Sequence, residues 1–188
     1  MKSRIARLGM SVSLAAVIAI VFGLTAAQPV AADDLDKIPI ENYFISCEEV
    51  SIEKAWVADG TKIVRGRLLN GQVVSNEDFH TGPATNLANA NVNLETMRGM
   101  FFGQLNMSPE AYPEGGWVGW FFIQGVPGDQ TGVDGLRGTG SLAGYYTKST
   151  VRHMPPDKLH ELFPEACGGE MPVGGSRAEG YVYLPSDD

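Results

Sequence analysis

Residues 89–95 alternate without a break, with Asn89, Asn91, Asn93 and Glu95 on one side and Ala90, Val92 and Leu94 on the other. Only an extended strand, whose successive side chains point to opposite faces, turns this pattern into one wet and one dry surface. The next two segments, 99–107 and 116–125, are apolar on both sides. In the second, Trp117, Phe121 and Ile123 face one way while Val118, Trp120 and Phe122 face the other. A chain built this way must fold its sheet so that something covers each apolar face.

Turn residues divide the rest at short intervals. Asp59-Gly60 and Asn70-Gly71 have the composition of tight hairpin turns, because both residue types accept positive φ at little cost. They predict strands at 53–58, 62–69 and 72–75. Residues 125–140, rich in glycine, read as a long connector before a strand at 141–152. Pro155-Pro156 then opens a short amphipathic helix carrying Asp157, Leu159, His160, Leu162 and Phe163, which Pro164 stops. This helix is the candidate cover for the doubly apolar strands or for a barrel mouth. A return strand at 179–184 would close the sheet. Regular short strands and a terminal return favour an all-β fold, a small antiparallel β-barrel with one short C-terminal helix, because closure removes exposed edges.

The first 32 residues have the layout of a cleavable secretory signal: Lys2, Arg4 and Arg7 precede an apolar run that ends at Val30-Ala31-Ala32. The alternative is an uncleaved anchor. Residues 33–188 are then a single domain, secreted or periplasmic. Losing the three signal cations takes the net charge from -8 to about -11. That balance disfavours nucleic acid and anionic membrane surfaces, which need clustered Lys and Arg. Cys47 and Cys167 are the only cysteines, and an oxidising compartment would let them pair across most of the domain. The alternative is two buried thiols.

Glycine and aromatic residues supply the remaining motifs. Gly138-Thr139-Gly140 lies among strand formers instead of opening a helix, so it marks a bend and not a phosphate loop. Together with Leu142-Ala143-Gly144, Asn91-Val92-Asn93-Leu94, Gly103 and Gly116-Trp117-Val118-Gly119-Trp120, it resembles the allene oxide cyclase and dirigent-like barrel superfamily. The segments are similar to its secreted bacterial members, which mostly lack an assigned activity, and the likeness covers roughly residues 63–150. The resemblance implies a calycin-like barrel. No catalytic residue of that superfamily maps onto a position here, so its chemistry does not follow.

Recognisable catalytic and metal patterns are missing from the sequence. His80, His153 and His160 lack zinc-site spacing and are expected at surfaces or strand ends. Ser141 follows glycine directly, unlike the serine at the centre of a nucleophile elbow. Asp78 and His80 could share a face if extended, although Gly82-Pro83 favours a solvated loop there. Asp129 and Asp134 flank a stretch faintly like a calcium loop but without its terminal Glu, so a flexible connector is expected.

The aromatic set on neighbouring strands is the main site signal. Most of it is expected to be core, with one face lining a pocket for an apolar or amphipathic molecule. The candidate ligand-binding residues are Arg65, Arg67, Phe102, Gln104, Trp117, Trp120, Phe122 and Tyr146, with no cofactor, no metal and no catalytic assignment. Binding of a small ligand is the first expectation. The alternatives are a cofactor-free cyclase or isomerase using Asp78, His80 or Glu95, and a scaffold associating through outer apolar strand faces. Monomer and homo-oligomer both stay open.

Overall fold

The computed structural model describes residues 36–184; the expected signal segment at 1–32 lies outside the described residues. Eight strands form a closed barrel in simple sequence order. They are β1 (Lys37–Ala58), β2 (Thr61–Ser75), β3 (Gly82–Asn93), β4 (Gly99–Met107), β5 (Gly115–Val126), β6 (Asp129–Gly140), β7 (Tyr146–Met154) and β8 (Gly174–Tyr183). Each pairs antiparallel with the next, and β8 returns to the first half of β1. Among the described residues one short helix, α1 (Pro156–Leu162), precedes β8, and a single 3-10 turn, Asp78–His80, links β2 to β3. The barrel with its short late helix is the architecture the strand pattern predicts.

The details correct several expectations. Asp59-Gly60 makes the expected hairpin, with φ of 47° and 70°. Asn70-Gly71 does not, because β2 runs straight through it, paired with β1 on one side and β3 on the other. A Cβ on Gly71 would lie 1.9 Å from the Ile45 carbonyl oxygen, so this glycine permits close strand approach instead of a turn. Residues 125–140 are likewise no connector. A tight turn at Pro127-Gly128 leads into β6, where Cβ atoms at Gly132 and Gly138 would meet neighbouring backbone within 1.7 and 1.9 Å. Composition suggested a loop where tight coiling of the sheet requires glycine within a strand.

Helix α1 starts as its prolines dictate, with Pro156 in the first turn. It packs outside β8 and β1 and leaves the doubly apolar strands uncovered, contrary to the expectation. Leu159 is fully buried against Gly175, and Phe163 tilts against Tyr43 at 4.9 Å between ring centroids. Cys47 on β1 is bonded to Cys167 after the helix, with 5.2 Å between their Cα atoms. No helix of the described residues is long and apolar enough to cross a membrane.

The lumen divides into two parts. At one end Ile40, Val73, Ala84, Met107, Trp117, Leu136, Leu142 and Val182 interlock in one cluster. Trp117 Nε1 donates to the Phe79 carbonyl at 2.8 Å, pinning the 3-10 turn across this end. His80 from that turn is only 1 % exposed and lies 5.1 Å from the Trp117 ring, which overturns its expected surface position. At the other end Ile123, Val151 and Ala178 form a smaller cluster with Phe101 and Phe121 against it.

Candidate functional site

Between those clusters lies a cavity of about 160 Å³, lined in part by Phe44, Leu69, Ala88, Phe101, Leu105, Phe121, Ile123 and Val151. Its polar lining comes from Asn42 and Ser46 on β1, Asn86 on β3, Gln130 and Asp134 on β6, with Arg67 and His153 also reaching it. Strand alternation explains the set. On β3 the buried positions are Ala84, Asn86, Ala88 and Ala90, and on β6 they include Gln130 and Leu136, with Asp134 in phase between them. Small residues on β3 leave the space, and the polar ones occupy positions where an ordinary barrel would place apolar side chains.

Several polar groups of the lumen are enclosed but not paired within the protein. Ser46 Oγ, Asn86 Oδ1, Asp134 Oδ1 and Ser149 Oγ are buried without a hydrogen-bond partner. Ser46 and Asn86 are themselves only 1 % and 8 % exposed. Leaving such an atom unsatisfied costs about 1–3 kcal/mol, so this lumen has unmet demand for hydrogen bonds. Asp134 stands opposite Phe121 on one side and Ser149 on the other. Burial pushes its carboxyl up to about 7, and the facing Ser149 hydroxyl eases that shift without completing a hydrogen bond. His153 is moved the opposite way, with burial lowering its pKa.

The residues expected to bind ligand fall on two faces. Trp117 is inside but belongs to the packed end, away from the cavity lining. Arg67 reaches the cavity and pairs with Glu49 at 2.5 Å. Arg65, two positions away, faces outward over the rings of Trp56 and Phe102, because a bulge at Gly66 with φ of 64° shifts the alternation between the two arginines. Phe102 and Phe122 oppose each other across β4 and β5 on the outer face. Gln104 pairs with Trp120, which is 54 % exposed, and both line a separate outer groove with Val133, Lys148 and Tyr181. Tyr146 stacks on Tyr183 at 4.6 Å, also outside.

The candidates for proton handling do not converge. Asp78 is exposed while His80 in the same turn is buried, so they do not share a face, and Glu95 is exposed in the β3–β4 turn. Asp129 is exposed and Asp134 faces inward, which separates the two acids across the sheet. Sequence reasoning missed the polar lumen itself. Continuing the alternation of residues 89–95 backwards through Ala88 to Asn86, and reading Gln130, Gly132, Asp134 and Leu136 as one strand face, would have found it.

Comparison with known proteins adds no relative: no family model, no curated protein and no solved structure matches this chain.

Proposed function

We propose that the barrel binds a small amphipathic molecule in its lumen, outside the cytoplasm. The observation that carries this reading is the presence of three unpartnered buried polar atoms, on Ser46, Asn86 and Asp134, in the lining of a cavity with apolar walls. Pockets for small ligands combine these two features, an apolar lining and a few convergent polar groups. The volume sets the scale, since a cavity of about 150 Å³ accommodates one benzene-sized ring. The Cys47–Cys167 disulfide supports an oxidising compartment. The glycine and aromatic motifs that resemble the allene oxide cyclase and dirigent-like barrels support a lumen-binding role, though not any one reaction.

Calorimetric titration with benzyl alcohol tests the reading, using Ala88→Leu to fill the cavity. Saturable binding by the parent protein and its loss in the variant are expected. No binding, or equal binding in the variant, overturns the proposal.

One observation favours a second reading, catalysis by proton transfer. Asp134 is poised to exchange its proton near neutral pH inside the cavity. Under this reading Asp134→Asn abolishes turnover of a lumen-bound compound while leaving the barrel folded.

A further inference from the structure

Two of the unpartnered buried atoms on the cavity lining are carbonyl-type oxygens. Asn86 Oδ1 and Asp134 Oδ1 are acceptors without donors, and the Ser46 hydroxyl on the same lining can accept as well. Arg67, the nearest guanidinium on the lining, is already held by Glu49. A ligand that only accepts hydrogen bonds would leave the two carbonyl-type oxygens unsatisfied. An anion would in addition face the Asp134 carboxylate.

We propose that the lumen takes a ligand with one ring and a protonated amine, its ammonium group seated against Asp134; this rests on the lumen-binding reading above. An ammonium group supplies up to three donors from a single atom, so it can meet Asp134 Oδ1 and still donate to a further acceptor on the lining. The ring then lies against Phe101, Leu105, Phe121 and Ile123. A charged hydrogen bond to Asp134 is about twice as strong as a neutral one, and it becomes available only when the carboxyl gives up its proton.

Affinity for such a ligand therefore depends on pH. Burial holds the Asp134 carboxyl protonated until about pH 7, whereas an alkyl amine stays charged well above that. Phe121 and Ser149, which flank Asp134 on the adjoining strands, carry no charge. The other charged or titratable groups on the cavity are Arg67 and His153. Arg67 is held by Glu49, and burial lowers the pKa of His153, away from the range in which Asp134 gives up its proton. Arg137, Lys148, Glu179 and Tyr181 line the outer groove, which Asp134 also touches. Ionising Asp134 alone should then raise affinity for the amine about tenfold between pH 6 and pH 8.

Titrations of benzylamine and benzyl alcohol at pH 6 and pH 8, with the intact protein and with Asp134→Asn, test this. Benzylamine should bind more tightly than the alcohol at pH 8 and gain about tenfold from pH 6 to pH 8, while the alcohol changes little. Asp134→Asn, its fold checked by near-ultraviolet circular dichroism and melting, should lose both the preference and the gain. If benzyl alcohol binds but benzylamine shows neither, the ammonium proposal is overturned and lumen binding stands. A gain that persists in Asp134→Asn also overturns it, because another group must then be titrating. If neither compound binds, both readings fail.

Discussion

The two ends of this lumen are built from the same strands and solve opposite problems. At the packed end, Trp117 fills the lumen and the Phe79–His80 turn caps it. At the hollow end, Asn86, Gln130 and Asp134 occupy inward positions around a space that the protein leaves open. A barrel this small can seal its interior with side chains alone. That it does so at only one end shows that closure is not what limits the other.

Large side chains give the sharpest contrast between the ends. Trp117→Ala should cost about 4 kcal/mol, the usual loss for a buried aromatic, and also leaves the Phe79 carbonyl without its donor. Phe121→Ala, where the ring is only half-buried, should cost less, about 3 kcal/mol at the low end of the range for a truncated Phe. Urea unfolding measures both, and equal losses would mean that the hollow half is as tightly packed as the other.

The two ends should also respond to pH with opposite sign. Asp134 has its pKa raised to about 7, so the stability linked to its neutral form is complete below about pH 4 and is lost as pH rises through 7. His80, unpartnered and lowered to about 4 by burial, contributes stability above about pH 6.5 that is lost as pH falls through 4. Each effect is on the order of 3 kcal/mol, so between pH 4 and 7 they largely offset one another. Asp134→Asn should therefore be more stable than the parent at pH 7.5, and its unfolding midpoint should fall as pH is lowered from 6.5 to 4.5. His153, also lowered by burial, acts in the same sense as His80. A parent protein whose midpoint falls as steeply as that of the variant would show that Asp134 is not held neutral.

Ala84 and Ala88 provide the finest comparison, being inward positions on one strand at the two ends. Ala84→Leu should cost about 1–3 kcal/mol through overpacking, and Ala88→Leu less than about 1 kcal/mol because the cavity admits the added carbons. Thermal unfolding of the pair tests the difference, which disappears if the cavity is filled by other means.

The barrel was legible in the sequence because alternation and tight turns act locally. Residues 99–107 and the Asp59-Gly60 hairpin are found where expected. Glycine misled wherever its reason was tertiary. At Gly71 and Gly132 it is a neighbouring strand's backbone that excludes a side chain, and nothing adjacent in sequence reports that neighbour. The opposite placement of Arg65 and Arg67 depends on a one-residue bulge, which a strict period of two conceals. Asn86 and Asp134 went unrecognised because polar residues in a strand are normally taken to face water, and only closure of the sheet turns these two inward.

The pairing of β8 with the first half of β1 has a consequence for the order in which the chain can fold. Every other strand meets a partner next to it in sequence, but Ile40 must wait for Gly180 and Ser46 for Gly174. During synthesis the growing sheet therefore remains open, with two unpaired edges, until nearly the whole chain has been made. The Cys47–Cys167 bond lies beside that last seam. Joining the ends there turns a late and entropically expensive encounter into a permanent one, so a chain cut short before β8 would be left with sticky edges and no lumen.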